Sequence, residues 1–105
     1  MTPQRGEIWW GEQADELGRP FLVIARPEAI VSMLRVLVVP ITRTQRRTVR
    51  SELELGPTDG LRHECCASFD NIRSIPKSLL VRRLGTLGPD RIHELCEVLA
   101  ATTGC

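Results

Sequence analysis

The sequence predicts a mainly β domain: a small curled sheet or barrel with short helices attached and one helix at its C-terminal end. Three observations predict it. Apolar runs of strand length, rich in β-branched residues, recur between turn residues, as in PFLVIA and RVLVVPIT. Residues 49–55 alternate, with Val49, Leu53 and Leu55 on one face and Glu52 and Glu54 on the other, the mark of a half-exposed strand. Only the segment after Pro89 sustains apolar residues at the helical period. With 105 residues and 42% apolar content, a single domain spanning residues 1–105 is expected.

The elements follow in order. Residues 7–10 read as a first strand, and GEQADELG, residues 11–18, as a polar loop. Residues 20–25 form a continuous apolar run that fits a buried strand. Pro27 breaks it and suits the start of a short helix, PEAIVSML. Residues 35–42 are the next strand. Pro40 removes one backbone donor, which predicts an edge position or a bulge. GPTDG is a loop by its turn residues. Residues 64–69 and 71–75 read as one strand or two, and LLVRRLGTL as a short last strand. In the final helix Pro89 suits the first position and Asp90 the first turn. Ile92, Leu95, Cys96 and Leu99 share a face, and Gly104 ends the helix.

Net charge is +1, so bulk charge announces no nucleic-acid partner. The kind of charge is more telling. Of the 14 basic residues only Lys77 is lysine; the rest are arginine, the side chain suited to bidentate contact with phosphate or carboxylate. MTPQRGEIWW lacks the basic-then-apolar pattern of a secretory signal, and no apolar run reaches membrane-spanning length. A cytoplasmic location with reduced cysteines is expected. The four cysteines form no C-x-x-C, and His63–Cys65 and His93–Cys96 find nothing nearby to complete a metal site. No metal or cofactor is expected. Walker, nucleophile-elbow and H-E-x-x-H patterns are absent.

What remains are polar groups at the ends of apolar strands. Arg19 opens one strand and Thr42 closes another. Both suit ordinary strand boundaries. Brought together across a sheet, they also suit a phosphate, with two parallel guanidinium donors and a hydroxyl. Arg43, Arg46, Arg47 and Arg50 follow at once, either as a solvated loop or as a track for a nucleic-acid backbone.

RGEIWW, GRPFLVIA, VLVVPIT, FDNIRSIPK and RRLGTLGPDRIHELCEVL occur in this order, from about Arg5 to the C-terminal helix. In this order they resemble the MazF/PemK family of type II toxin–antitoxin endoribonucleases, or mRNA interferases. The resemblance implies an SH3-like β-barrel of the MazF/CcdB type, a homodimer, and cleavage of single-stranded RNA without a metal. It places the catalytic arginine on Arg19 and the catalytic threonine on Thr42. It puts Asn71 and Arg73 in the segment that lines the RNA groove, to which the basic Arg43, Arg46 and Arg47 would add a backbone track; Arg73 suits a bond within the barrel equally well. It implies a cognate antitoxin, MazE-like or other, that lays an acidic and apolar segment over the groove. Three departures stand out. The loop GEQADELG is short, Leu79 stands where the family often has arginine, and Cys65 where it often has serine. His63 is a candidate general base by residue type alone. The competing reading is a CcdB-like toxin of the same fold that inhibits a protein such as gyrase. Against it, the chain ends ATTGC, and both tryptophans, Trp9 and Trp10, lie in the first strand.

Overall fold

The structure is a computed structural model; it describes residues 2–13, 16–43 and 51–104. Seven strands and two helices follow one another as β1 (Glu7–Gln13), β2 (Glu16–Val23), α1 (Pro27–Ser32), β3 (Arg35–Arg43), β4 (Glu52–Leu55), β5 (Cys65–Ser68), β6 (Arg73–Pro76), β7 (Leu80–Thr86) and α2 (Pro89–Thr103). All strand pairings are antiparallel, in the order β4-β5-β3-β2-β1-β7, with β6 also on β3. Among the described residues no ladder joins β4 to β7, so the path through the sheet has two ends.

The sheet is packed on both faces. On one face Ile8, Leu22, Val39, Ile41, Leu53 and Ala67 meet Leu95 of α2. On the other, Trp9, Phe21, Val23, Val36, Val38 and Ile75 meet Ile30 of α1. This double burial is why the β2 and β3 sequences read as continuous apolar runs rather than alternating ones.

Several expectations change. Most of the segment expected as a loop at residues 11–18 is strand, with Gln13 opposite Glu16. Its residues are mostly polar, so no apolar alternation in the sequence betrays the strand. Pro40 lies in no bulge: it pairs with Phe21 on the β2 side, while on the other side the β6 ladder ends at Val38 and the β5 ladder begins at Ile41, so the proline falls in the gap between them. Pro40 is tolerated because it sits at a changeover. The β2–β3 ladder covers only Phe21–Pro40, Leu22–Val39 and Val23–Val38. Pro20 and Pro40 have no N–H to donate, so the ladder stops there. Beyond it Pro20 and Arg19 stay paired with β1, while β3 pairs with β5 from Ile41 onward. β2 and β3 therefore part like a fork. Residues 64–75 resolve into two strands separated by a 3-10 turn at Phe69–Asn71. On α2, Cys96 is exposed; Ile92, Val98 and Leu99 pack around the buried Leu95 instead. Gly104 ends α2 at φ 75°, with its N–H on the carbonyl of Ala100.

Candidate active site

Strand alternation decides which side chains can meet at the fork. Directly paired residues share a face, and so do residues two apart on one strand. Phe21 and Pro40 are paired. Two residues outward from them, Arg19 and Thr42 stand on the two prongs and face the same side. Thr42 pairs with Cys66, which Glu54 flanks from β4, while Ser68 pairs with Glu52. Further back along β3, Val38 pairs with Arg73. Asn71 donates from Nδ2 to Ser68 Oγ at 3.2 Å. Arg19, Thr42, Asn71 and Arg73 are thus brought to one face of the sheet, Arg19 and Thr42 beyond the end of the Trp9–Phe21 cluster and Arg73 alongside it.

Arg19 is half-buried, and its Nε–H is shielded from solvent with no acceptor among the described residues. It also forms no ion pair with any of them. A shielded donor of this kind is costly unless something accepts from it. Thr42 is exposed; its Oγ1 lies 4.0 Å from Cys66 Sγ. Arg43 is also exposed, and so is Arg73. Arg46, Arg47 and Arg50 lie outside the described residues.

The two adjacent thiols behave as buried groups. Burial pushes the Cys66 thiol up, the Glu52 carboxylate raises it further, and the Thr42 hydroxyl partly offsets both. Burial likewise raises Cys65, with the Arg43 charge opposing it. Both remain protonated near neutral pH and are poor nucleophiles or ligands there. Among the described residues no three His, Cys, Asp or Glu side chains gather as a metal site.

The side chains on the opposite face of the fork make a different feature. A cleft of about 520 Å³ opens between the prongs, with Pro20 and Ile41 in its walls. Its floor is apolar, from Leu61 and Leu84; Trp10, Arg43, Arg62 and Arg82 surround it, and His63 lines it too. His63, named only by its type, is thus placed at this cleft rather than beside Thr42. Trp10, Arg62 and Arg82 were not legible as a group because they come from separate segments. The one local signal was Gly18: a side chain there would meet the Trp10 indole at 2.4–2.6 Å, so only glycine lets the ring lie against β2.

Three side chains fix this frame. Glu7 is buried and accepts hydrogen bonds from Gln4 N–H (2.8 Å), Trp9 Nε1 (2.9 Å) and Arg83 (3.1 Å). Arg91 of α2 reaches Asp59 (3.5 Å) and the carbonyl of Glu54, tying the helix to β4. Lys77 donates to the Ile30 carbonyl at 2.5 Å and so holds α1. Leu79, where the family often has arginine, is half-buried and packs against the Trp9–Phe21 cluster.

An open sheet with an arginine and a threonine on facing strand ends defines a small mainly β protein. Known proteins name its class more closely. Residues 4–103 match the model of the PemK-like, MazF-like toxin of type II toxin–antitoxin systems, and the chain belongs to that family. It is 40% identical to the probable endoribonuclease MazF2 of Mycobacterium tuberculosis, over 97% of this chain and 99% of that protein. It is 36% identical to MazF5, a probable endoribonuclease of the same organism, over 98% and 94%. Its structure resembles that of the M. tuberculosis toxin MazF-mt6, with TM-score 0.82 at 26% identity over 93% of this chain and 96% of that one. It resembles equally a mycobacterial endoribonuclease solved with its cognate antitoxin, with TM-score 0.82 at 26% identity over 97% and 95%.

Proposed function

We propose that Arg19 and Thr42 are the catalytic pair of this MazF-like endoribonuclease toxin. The observation that carries the reading is the shielded Nε–H of Arg19, which finds no acceptor among the described residues, on the same face as the Thr42 hydroxyl. A non-bridging phosphoryl oxygen is a fitting acceptor for both. RNA supplies its own nucleophile. The 2′-oxygen attacks the adjacent phosphorus, the bond to the 5′-oxygen breaks, and the 2′-hydroxyl proton passes to a base while the leaving oxygen gains one. The products carry 2′,3′-cyclic phosphate and 5′-hydroxyl ends. Arg19 stabilises the charge that grows on the phosphoryl oxygens, and Thr42 orients the group by hydrogen bonding. Arginine is a poor base because its guanidinium stays protonated. Asn71 and Arg73 would guide the single strand along this face, and Arg43, on the cleft side, would meet it past the fork; the basic Arg46 and Arg47 follow Arg43 in sequence. The chemistry requires no metal.

The open sheet reads as an opened form of the SH3-like barrel the family resemblance implies. Val31, Met33, Leu34 and Leu37 are exposed around α1 and the start of β3, which supports a homodimer. An antitoxin segment with acidic and apolar residues would suit the Arg19–Arg73 face, and a toxin of this family would act in the cytoplasm. Among the described residues no helix is long and apolar enough to cross a membrane. The gyrase-inhibitor reading is not favoured, because the relatives that span the whole chain are named endoribonucleases.

The test is incubation of a defined single-stranded RNA with the protein in EDTA, with mapping of every product end. Cyclic-phosphate ends are expected, lost when 2′-O-methyl groups replace the hydroxyls. Thr42→Ala should lower kcat by roughly 10²–10³, as loss of one transition-state donor does elsewhere. Wild-type rates in both Thr42→Ala and Arg19→Ala would remove the proposed pair.

A further inference from the structure

The second face of the fork carries a feature the catalytic pair does not use. The cleft behind Arg19 and Thr42 has about 520 Å³, inside the range of roughly 300–1,000 Å³ typical of small-ligand sites. Its composition is specific. Trp10 contributes an indole, and Leu61 and Leu84 contribute apolar side chains, while guanidinium groups arrive from three separate places: Arg43 from β3, Arg62 from the loop before β5, and Arg82 from β7. All three are exposed, and no acidic side chain lines the cleft among the described residues. Trp10 is held in position, since its ring fills the space that Gly18 leaves and its Nε1 donates to Glu12 at 3.2 Å. The fork makes the cleft contiguous with the catalytic face, because its walls, Pro20 and Ile41, are the immediate neighbours of Arg19 and Thr42.

An aromatic and apolar lining that also carries three arginines is the chemistry that takes an unstacked nucleobase with its phosphate. We propose that this cleft is a subsite for a nucleotide of the single-stranded RNA that adjoins the scissile phosphate. Its base lies against Trp10 and the Leu61–Leu84 floor, and its phosphate is held by Arg62 and Arg82. The assignment rests on Arg19 and Thr42 holding the scissile phosphate on the other side of the fork. It makes the cleft a determinant of which sequence is cleaved, since only a nucleotide that enters it anchors the strand.

The test compares wild type with Arg62→Ala/Arg82→Ala, two exposed positions whose loss leaves the core intact. The probe is a single-stranded RNA carrying 2′-O-methyl groups, which binds without being cleaved, titrated over a range of salt. The double variant should bind about 10-fold more weakly, the lower end for removal of charge-assisted hydrogen bonds. The slope of log affinity against log salt should flatten by about 0.7 for each phosphate that the protein no longer neutralises. Arg26→Ala, which removes an exposed arginine at the start of α1, should leave the slope as it is. Thr42→Ala run beside them separates the two readings. If it and Arg19→Ala both cleave like wild type, the catalytic pair falls while the salt slope still reports on the cleft. A slope unchanged in the double variant, or flattened equally by Arg26→Ala, overturns the subsite. So does a double variant that binds RNA normally but loses an acidic peptide such as oligoglutamate, which would assign the cleft to a protein partner.

Discussion

At the scale of single residues, the R-G-E stretch near the N-terminus turns out to be an anchor. Glu7 sits 8% exposed beneath Trp9 and Arg83. Burial works to raise its carboxyl, but the hydrogen bonds from Trp9, the Gln4 amide and Arg83 outweigh burial and hold it below the usual carboxylate range. A carboxyl lowered in the folded state stabilises the protein above its unfolded value, and that stabilisation is lost as pH falls through the folded one. Wild type should therefore lose stability as pH drops through and below the ordinary carboxylate range. Glu7→Gln keeps the shape but not the charge, and should cost about 1–3 kcal/mol near pH 7. Thermal melts of the two proteins should differ at pH 7 and converge near the acid end; a gap that stays constant with pH would refute the role. The sequence shows Glu7 only as part of a short motif. What makes it an anchor is the Arg83 ion pair, which spans most of the chain and leaves no local pattern.

At the scale of elements, legibility follows burial. β2 and β3 were readable because both their faces are covered, so their composition is apolar throughout. The outer part of the β1–β2 ribbon was not, because its pairing Gln13–Glu16 is made by backbone and its side chains are polar. Arg19 and Thr42 were visible as strand-end polar residues, yet their shared face depends on register, which only the Phe21–Pro40 pairing supplies. The cleft was illegible for the same reason on a larger scale. On α2 the helical period was clear, but it does not say which residues within the stripe touch the sheet. Leu95 is fully buried and Cys96 is exposed. Leu95→Ala should therefore cost about 2–5 kcal/mol, as large-to-small changes in a packed core do. Since α2 covers the face away from Arg19 and Thr42, the variant should melt earlier yet cleave RNA at the wild-type rate at low temperature. A matched loss of both stability and low-temperature rate would show that α2 bears on the site.

At the scale of the molecule, size and surface argue together. The radius of gyration, 12.8 Å, is what a compact domain of this length should have, about 13 Å for 100 residues. A domain this small buries its apolar residues with difficulty, and here it leaves a cluster outside. Leu34 is 87% exposed and Val31 78%, with Met33 and Leu37 close by in sequence. Single exposed apolar residues need no explanation, but neighbours concentrated in one segment mark a contact surface. These residues lie on α1 and the start of β3, the strand whose far end carries Thr42. A second copy placed on this patch would be linked through β3 to the face proposed as catalytic. Leu34→Glu would put a charge into such an interface with no partner for it, at a cost of several kcal/mol that a small dimer interface does not recover. Light scattering coupled to size-exclusion chromatography should find wild type at twice the chain mass and Leu34→Glu at the chain mass, with its thermal melt above room temperature. If the variant is monomeric and its cleavage rate per chain is unchanged, each protomer carries a complete site. If the rate collapses with dimerisation, the groove is built from two copies. A wild type that is monomeric at all accessible concentrations would remove the interface altogether.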